Sequence, residues 1–486
     1  MRGRIRFLLG DTVHEIAGID PTTTVLGYLR EIARRPGTKE GCAEGDCGAC
    51  TVVLGGLENG RLTYRAVNAC ILLVGALDGK ELLTVEDLAE GEALHPVQAA
   101  MVASHGSQCG FCTPGIVMAL YALYHHGPPS DAAIAEALAG NLCRCTGYGP
   151  VIEAAKAMHA IAPADRFAAR AAETAARLAA LADEETLVVE GNGRRWTAPA
   201  EAGEFAAAVA ADPEAAIIAG ATDAGLWVTK QHRPPARMIA IERVAALKRV
   251  CVDDEAIEIG AGAPYAAAVP VLCTHYPALS EMFGRLGSVQ IRNVGTIGGN
   301  IANGSPIGDS PPALIALGAR LILRRGRARR EIALEDYFLA YGRQDRRPGE
   351  FVEAVRVPLP RPGQEVRCYK VAKRHDQDIS AVLGAFNLTI EKGRVSEARV
   401  AFGGMAATPK RARACEKALT GAPWSARTVA RAQAALARDF SPIDDLRAGA
   451  RYRARVAANL VTRLHLETSA PETLTRVDDD AVLADA

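Results

Sequence analysis

The stretch Gly41-Cys42-Ala43-Glu44-Gly45-Asp46-Cys47-Gly48-Ala49-Cys50-Thr51 sets three cysteines in a C-x4-C-x2-C spacing, and Cys70 follows after nineteen intervening residues. This is the spacing of plant-type [2Fe–2S] sites, where a tight loop aims several thiolates inward. Gly41, Gly45 and Gly48 relieve the steric limits of such a path and let backbone amides approach the cluster sulfurs. A four-cysteine zinc site is the alternative, although structural zinc sites usually use two close pairs. A second set lies downstream: Cys109-x2-Cys112, thirty residues, then Cys143-x-Cys145. By spacing alone these two pairs suit zinc as well as iron–sulfur. Cys143-x-Cys145 is tighter than the usual zinc pair, and Gly110 and Gly147 flank the ligands.

Around these sites the chain is ordinary. Its 486 residues exceed one hydrophobic core, so three or four domains are expected. Lys+Arg and Asp+Glu both number 56, which leaves no net field for nucleic acid or an anionic membrane. The start reaches Asp11 before an apolar stretch develops, so no secretory signal is expected. No apolar run approaches the roughly 20 residues that span a bilayer. A cytoplasmic location follows as an expectation. There, eight cysteines between Cys42 and Cys145 point to metal rather than disulfides. Cys251, Cys273, Cys368 and Cys415 read as small buried hydrophobes.

Residues 4–9 and 12–17 flank Gly10-Asp11 as a hairpin. Thr22–Thr24 cap a short helix with Leu26, Leu29 and Ile32 on one face, and 51–54 and 71–74 read as strands. From 84 to 160 the texture is helical. Starts fall at His95-Pro96, Thr113-Pro114 (Thr113 as N-cap), Ser130-Asp131 and Pro150, and Gly127 is a stop. Residues 161–186 form an Ala-rich linker with some helix. A mixed α+β region with strands LVVE, AAIIAG, MIAIE and AIEIGAG follows to about 362. A last α+β segment over 364–470 has strands at 381–390 and 395–402 and helices from 409, before an acidic tail expected to be mobile. Two glycine-bearing loops stand out, AIIAGATDAG (216–225) and VGTIGGNIANGSPIGDSPP (294–312). Neither fits G-x-G-x-x-G or a P-loop, but both could turn backbone amides toward an anion such as a pyrophosphate. Ordinary tight turns are the alternative.

GCAEGDCGACT (41–51), QCGFCTPG (108–115) and NLCRCTGY (141–148) resemble the three cluster motifs of the xanthine dehydrogenase and aldehyde oxidase family. The resemblance implies one [2Fe–2S] cluster on Cys42, Cys47, Cys50 and Cys70 and another on Cys109, Cys112, Cys143 and Cys145. It implies a β-grasp ferredoxin-like domain (1–82), a four-helix [2Fe–2S] bundle (83–160), a linker (161–186) and a PCMH-type FAD domain like that of vanillyl-alcohol oxidase (187–362). An α+β flavoprotein C-terminal domain (364–470) and a tail (471–486) complete this α+β multidomain reading. The implied FAD contacts are Ala216, Ile217, Ile218, Ala219, Gly220, Ala221, Thr222, Asp223, Leu286, Thr296, Ile297, Gly298, Gly299, Asn300, Asp309, Val352 and Lys370. Asp223 stands where the family commonly has Glu, Asp309 is expected at the adenosine end, and 369–382 resembles the charged loop that governs nicotinamide access.

The resemblance reaches about residue 465, and the chain is expected to be the small subunit of a two-subunit enzyme. A molybdopterin-binding large subunit would hydroxylate hypoxanthine or xanthine toward urate, with Gln108 and the Cys145 loop facing its pterin. Electrons would pass through both clusters to FAD and then NAD+, in a dimer of heterodimers. No general base is implied on this chain. One rival is an aldehyde oxidase or oxidoreductase with another acceptor. Another is a zinc-stabilised docking protein.

Overall fold

The computed structural model describes residues 1–161, 165–473 and 475, so most of the acidic tail lies outside the described residues. Gly10, in the left-handed region at φ 56°, turns strand Ile5–Leu9 back along Thr12–Ile16, with Ile5 opposite Ile16. Strand Glu81–Leu83 joins Ile5–Leu9 in parallel, and the hairpin Thr51–Glu58/Arg61–Asn68 completes a mixed five-stranded sheet. This is the expected β-grasp. Two details differ from the sequence reading. After Thr24 caps Val25–Gly27, the helix widens into a π-turn over Tyr28–Ile32, which rotates Ile32 off the Leu26–Leu29 face into solvent. Ile71–Val74 is not a strand. Ile71 and Leu72 donate their amides to the Asn68 carbonyl, and the chain turns into a 3-10 segment at Val74–Leu77. That apolar run is buried because the flavin domain covers it: Trp196, Ile218 and Met238 share its core.

Four helices follow, Pro96–Ala103, Thr113–Tyr124, Asp131–Leu138 and Gly149–Ala157. His95 and Ser130 cap as the sequence suggests, but the second helix is preceded by Cys112 and takes Thr113 as its first residue. Their apolar faces pack on Val53, Tyr64, Ala66 and Leu83, the side of the β-grasp sheet away from the flavin domain. The linker holds helices Arg166–Ala169 and Ala171–Leu181. Arg2 and Arg243 converge on Asp78 and Asp183, joining β-grasp, linker and flavin domain through a largely buried ion network.

The flavin region has a four-stranded sheet (Leu187–Gly191, Arg194–Ala198, Arg237–Ala240, Ala216–Ile218) and a five-stranded sheet (Val250–Val252, Ala256–Gly260, Phe351–Pro358, Arg320–Arg325, Ala328–Ala333). The last region adds strand Gln364–Val371, which the sequence reading lacks, to Val382–Glu391 and Arg394–Gly403, backed by helices Arg413–Leu419, Ala426–Asp439 and Ala450–Ser469. Among the described residues no helix is long and apolar enough to cross a membrane.

Candidate electron-transfer site

The first cysteine loop is held by its own backbone. The amides of Glu44, Asp46 and Cys47 donate to Cys42 Sγ at 3.4, 3.4 and 3.3 Å, and Asn68 Nδ2 reaches Cys50 Sγ at 3.9 Å. Amide donors of this kind stabilise thiolate over thiol. Contact with the Cys47 and Cys70 sulfurs is the larger cause, and together they hold Cys42 far below the ordinary thiol range. A Cβ on Gly41 would lie 2.8 Å from Cys47 Sγ, so glycine is what admits the sulfur there. The four thiols of this site touch in a chain, Cys47 to Cys42, Cys42 to Cys70 and Cys70 to Cys50.

The second site pairs its thiols across two loops, Cys109 with Cys145 and Cys112 with Cys143. Cys143 is drawn down to about 7: burial opposes ionisation, and the Thr146 hydroxyl, 3.2 Å away, with nearby amides outweighs it. Tyr148, in the left-handed region at φ 65°, folds its hydroxyl back to accept the Cys143 amide at 2.7 Å and donate to the Asn141 carbonyl at 3.0 Å. Four converging thiols at each site suit the two irons of a [2Fe–2S] cluster.

The flavin-side site is a cavity of about 630 Å³, a size suited to a sizeable ligand. Ala216, Ile217, Ala219, Gly220, Ala221, Thr222, Asp223, Leu286, Thr296, Gly298, Gly299, Asn300 and Val352 line it, bringing both glycine loops together. A Cβ on Gly220 would sit 1.9 Å from the Val294 carbonyl, and one on Gly298 2.5 Å from Ala261 Cα. Asn300 Oδ1 is buried without a partner, as expected of a polar group that meets a ligand. Burial raises the Asp223 carboxyl, which accepts from Asn303 Nδ2 at 2.9 Å. These features fit a dinucleotide.

Four expected contacts lie elsewhere. Ile218 and Ile297 point into the core at 1% and 0% exposure, because alternate residues of a strand and one face of a helix must turn inward. Asp309 and Lys370 form a buried ion pair with each other, and Ser380 donates to the second Asp309 oxygen at 2.6 Å. They secure the 369–382 loop, whose Gln377 and Ile379 line the cavity.

The sequence reading also omits Glu44, Gly45 and Asp46, which form part of the cavity wall. The first cysteine loop therefore presents its ligands on one side and its intervening residues to the flavin cavity. Their place between Cys42 and Cys47 was the available signal. Gln108 is exposed beside the second site.

Family models match in the same order along the chain. Residues 10–75 match a 2Fe-2S iron-sulfur cluster binding domain and 84–156 a [2Fe-2S] binding domain. Residues 190–360 match the FAD binding domain in molybdopterin dehydrogenase, and 367–468 the CO dehydrogenase flavoprotein C-terminal domain. Xanthine dehydrogenase of Drosophila subobscura is 34% identical over 448 residues, covering 80% of this chain and 33% of that protein. Xanthine dehydrogenase of Emericella nidulans is 30% identical over 498 residues, covering 90% of this chain and 36% of that protein. The chain thus spans about a third of the length of these relatives. Among solved structures, CO dehydrogenases of Hydrogenophaga pseudoflava (28% identical) and Oligotropha carboxidovorans (26%) each superpose with a TM-score of 0.52, over 55% of this chain and 94% of theirs. With both cysteine sets, the flavin cavity and all four domain types present in order, the chain belongs to the xanthine oxidase family and carries its iron–sulfur and FAD-binding portion.

Proposed function

We propose that this chain relays electrons from a molybdopterin-binding partner subunit, through two [2Fe–2S] clusters, to FAD and on to NAD+, in the cytoplasmic oxidation of hypoxanthine and xanthine to urate. Cys42, Cys47, Cys50 and Cys70 hold one cluster, and Cys109, Cys112, Cys143 and Cys145 the other. When bound, the clusters exchange single electrons, and the flavin couples single-electron to hydride chemistry. The chain's own work is positioning. The Glu44, Asp46 and Cys47 amides offset thiolate charge, and the glycine loops at 219–222 and 295–299 shape the cavity that takes FAD. The observation that carries the reading is the shared wall: residues 44–46 belong to the first cysteine loop and to the flavin cavity.

The exposure of Cys109 and Cys145, with Gln108 beside them, supports partner docking at the second site. A dimer of such heterodimers is the assembly we infer. The CO dehydrogenase structures favour a second reading, the same relay serving another substrate and acceptor. Co-expression with the large subunit and an assay of xanthine-dependent NAD+ reduction separates the two. Urate and NADH formed together support the first reading. Cluster reduction by an aldehyde or another substrate, with no NADH, supports the second.

A further inference from the structure

One helical turn of the flavin domain, Val289–Arg292, enters the seam between the two iron–sulfur domains. Arg292 donates to Glu136 of the helical domain at 2.7 Å, and Asn293 Nδ2 donates to the Ala66 carbonyl of the β-grasp at 2.8 Å. Ile291 lines the flavin cavity and lies where a Cβ on Gly45 would meet it at 3.2 Å. Gln290 goes deepest and is fully buried, as are Asn141 and Thr51 at 1% and 2% exposure.

These three residues come from three domains and share one network. Gln290 Nε2 donates to Asn141 Oδ1 at 2.8 Å and to Thr51 Oγ1 at 3.4 Å. Asn141 Nδ2 donates to the Gly48 carbonyl at 3.0 Å and to Thr51 Oγ1 at 3.2 Å. Thr51 gives its single hydroxyl proton to Gly48 at 2.7 Å, so it can only accept from the two amides. That fixes the orientation of both carboxamides.

Gly48 lies between Cys47 and Cys50 of the first site, and Asn141 precedes Cys143 of the second by two residues. Beside the network, the Leu142 amide donates directly to the Cys47 carbonyl at 2.9 Å. Glycines permit this approach: a Cβ on Gly48 would lie 2.1 Å from the Gly140 carbonyl, and one on Gly140 2.1 Å from Gln290 Oε1. That same Gln290 oxygen is buried without a partner. An unpaired buried carbonyl is a cost, so the residue is not explained by stability alone.

We infer that Gln290 is a positioning residue for electron transfer, its carboxamide N–H locking the Cys47–Cys50 loop to the Asn141–Cys143 loop from the flavin side. The two cluster spacings are then set jointly with the flavin cavity, because packed interiors transmit small displacements. The inference rests on the two-cluster reading of the proposed function.

The test uses the full chain with its clusters, reduced stepwise with dithionite and followed by electron paramagnetic resonance. Gln290→Met keeps the volume and removes the donor. Thr51→Val removes the shared acceptor and serves if the first variant fails to fold or to load iron. Both variants are expected to keep full iron and flavin content and unchanged g-values for each cluster in half-reduced samples. The magnetic splitting between the clusters in the fully reduced state should be lost or broadened. A merely structural role would lower the melting temperature and leave that splitting intact. Wild-type splitting in an iron-replete variant overturns the inference. Absence of two distinct cluster signals in the unmodified chain overturns the two-cluster reading, and this inference with it.

Discussion

The two cysteine sites differ in who encloses them. At the first, Cys50 and Cys70 are 1% and 2% exposed, wrapped by the β-grasp sheet and the flavin domain. At the second, Cys109 and Cys145 are exposed, with Phe111 and Leu142 left 49% and 48% open nearby. The chain encloses one site itself and leaves the other open at its surface. In the relay proposed above, the enclosed site would face the flavin cavity and the open one the partner subunit.

Glycine substitutions test this difference with the largest effect. Gly48 has φ 68°, and an added Cβ would strike the Gly140 carbonyl at 2.1 Å, whereas Gly110 has φ 83° with open space around it. Gly48→Ala should cost roughly 3 kcal/mol or more and remove cluster absorbance, because backbone must move. Gly110→Ala should cost only the left-handed strain, about 1–2 kcal/mol. Thermal melts with visible absorbance read both. Equal losses at the two positions would erase the distinction.

The enclosed side also carries a pH signature. Burial lifts the Glu81 carboxyl to about 7, and the nearby Tyr64 hydroxyl opposes the rise. A carboxyl raised in the fold binds its proton more tightly folded than unfolded, so stability is fully present below about 4.5 and falls as pH rises toward 7. Glu81→Gln should abolish that fall and stabilise the protein at pH 8 by roughly 1–3 kcal/mol. Denaturant melts at pH 5 and pH 8 check it; an unchanged pH slope would show that Glu81 ionises freely. The open side predicts the smallest stability change. Phe111→Ser should move stability by no more than about 0.5 kcal/mol, yet weaken capture of the large subunit in a pull-down.

Cys42, Cys47 and Cys50 were legible as a set because their short spacing is local, whereas the second set, split by thirty residues, was read through its resemblance to the family motifs. The Gly10 hairpin and the helix starts at Pro96 and Asp131 were legible because turn and capping chemistry is local. What escaped depends on distant partners. Ile71–Val74 reads as a strand by composition, but its burial comes from Trp196 and Met238, more than a hundred residues away. Strand Gln364–Val371 carries Glu365 and Arg367, whose charges mask its pairing with Val382–Glu391. Asp309 and Lys370 were expected at the flavin through the family resemblance, but the fold pairs this buried carboxylate and ammonium with each other. The Thr51–Asn141–Gln290 network, spread over three domains, has no local sequence signal.

The most direct test of the central claim is metal, sulfide and flavin analysis of the purified full chain, together with its reduced spectrum. Two [2Fe–2S] sites and one flavin site predict about four iron atoms, four sulfides and one FAD per chain, with two distinguishable reduced-cluster signals. Zinc in place of iron, or about two iron atoms with a single signal, would contradict it.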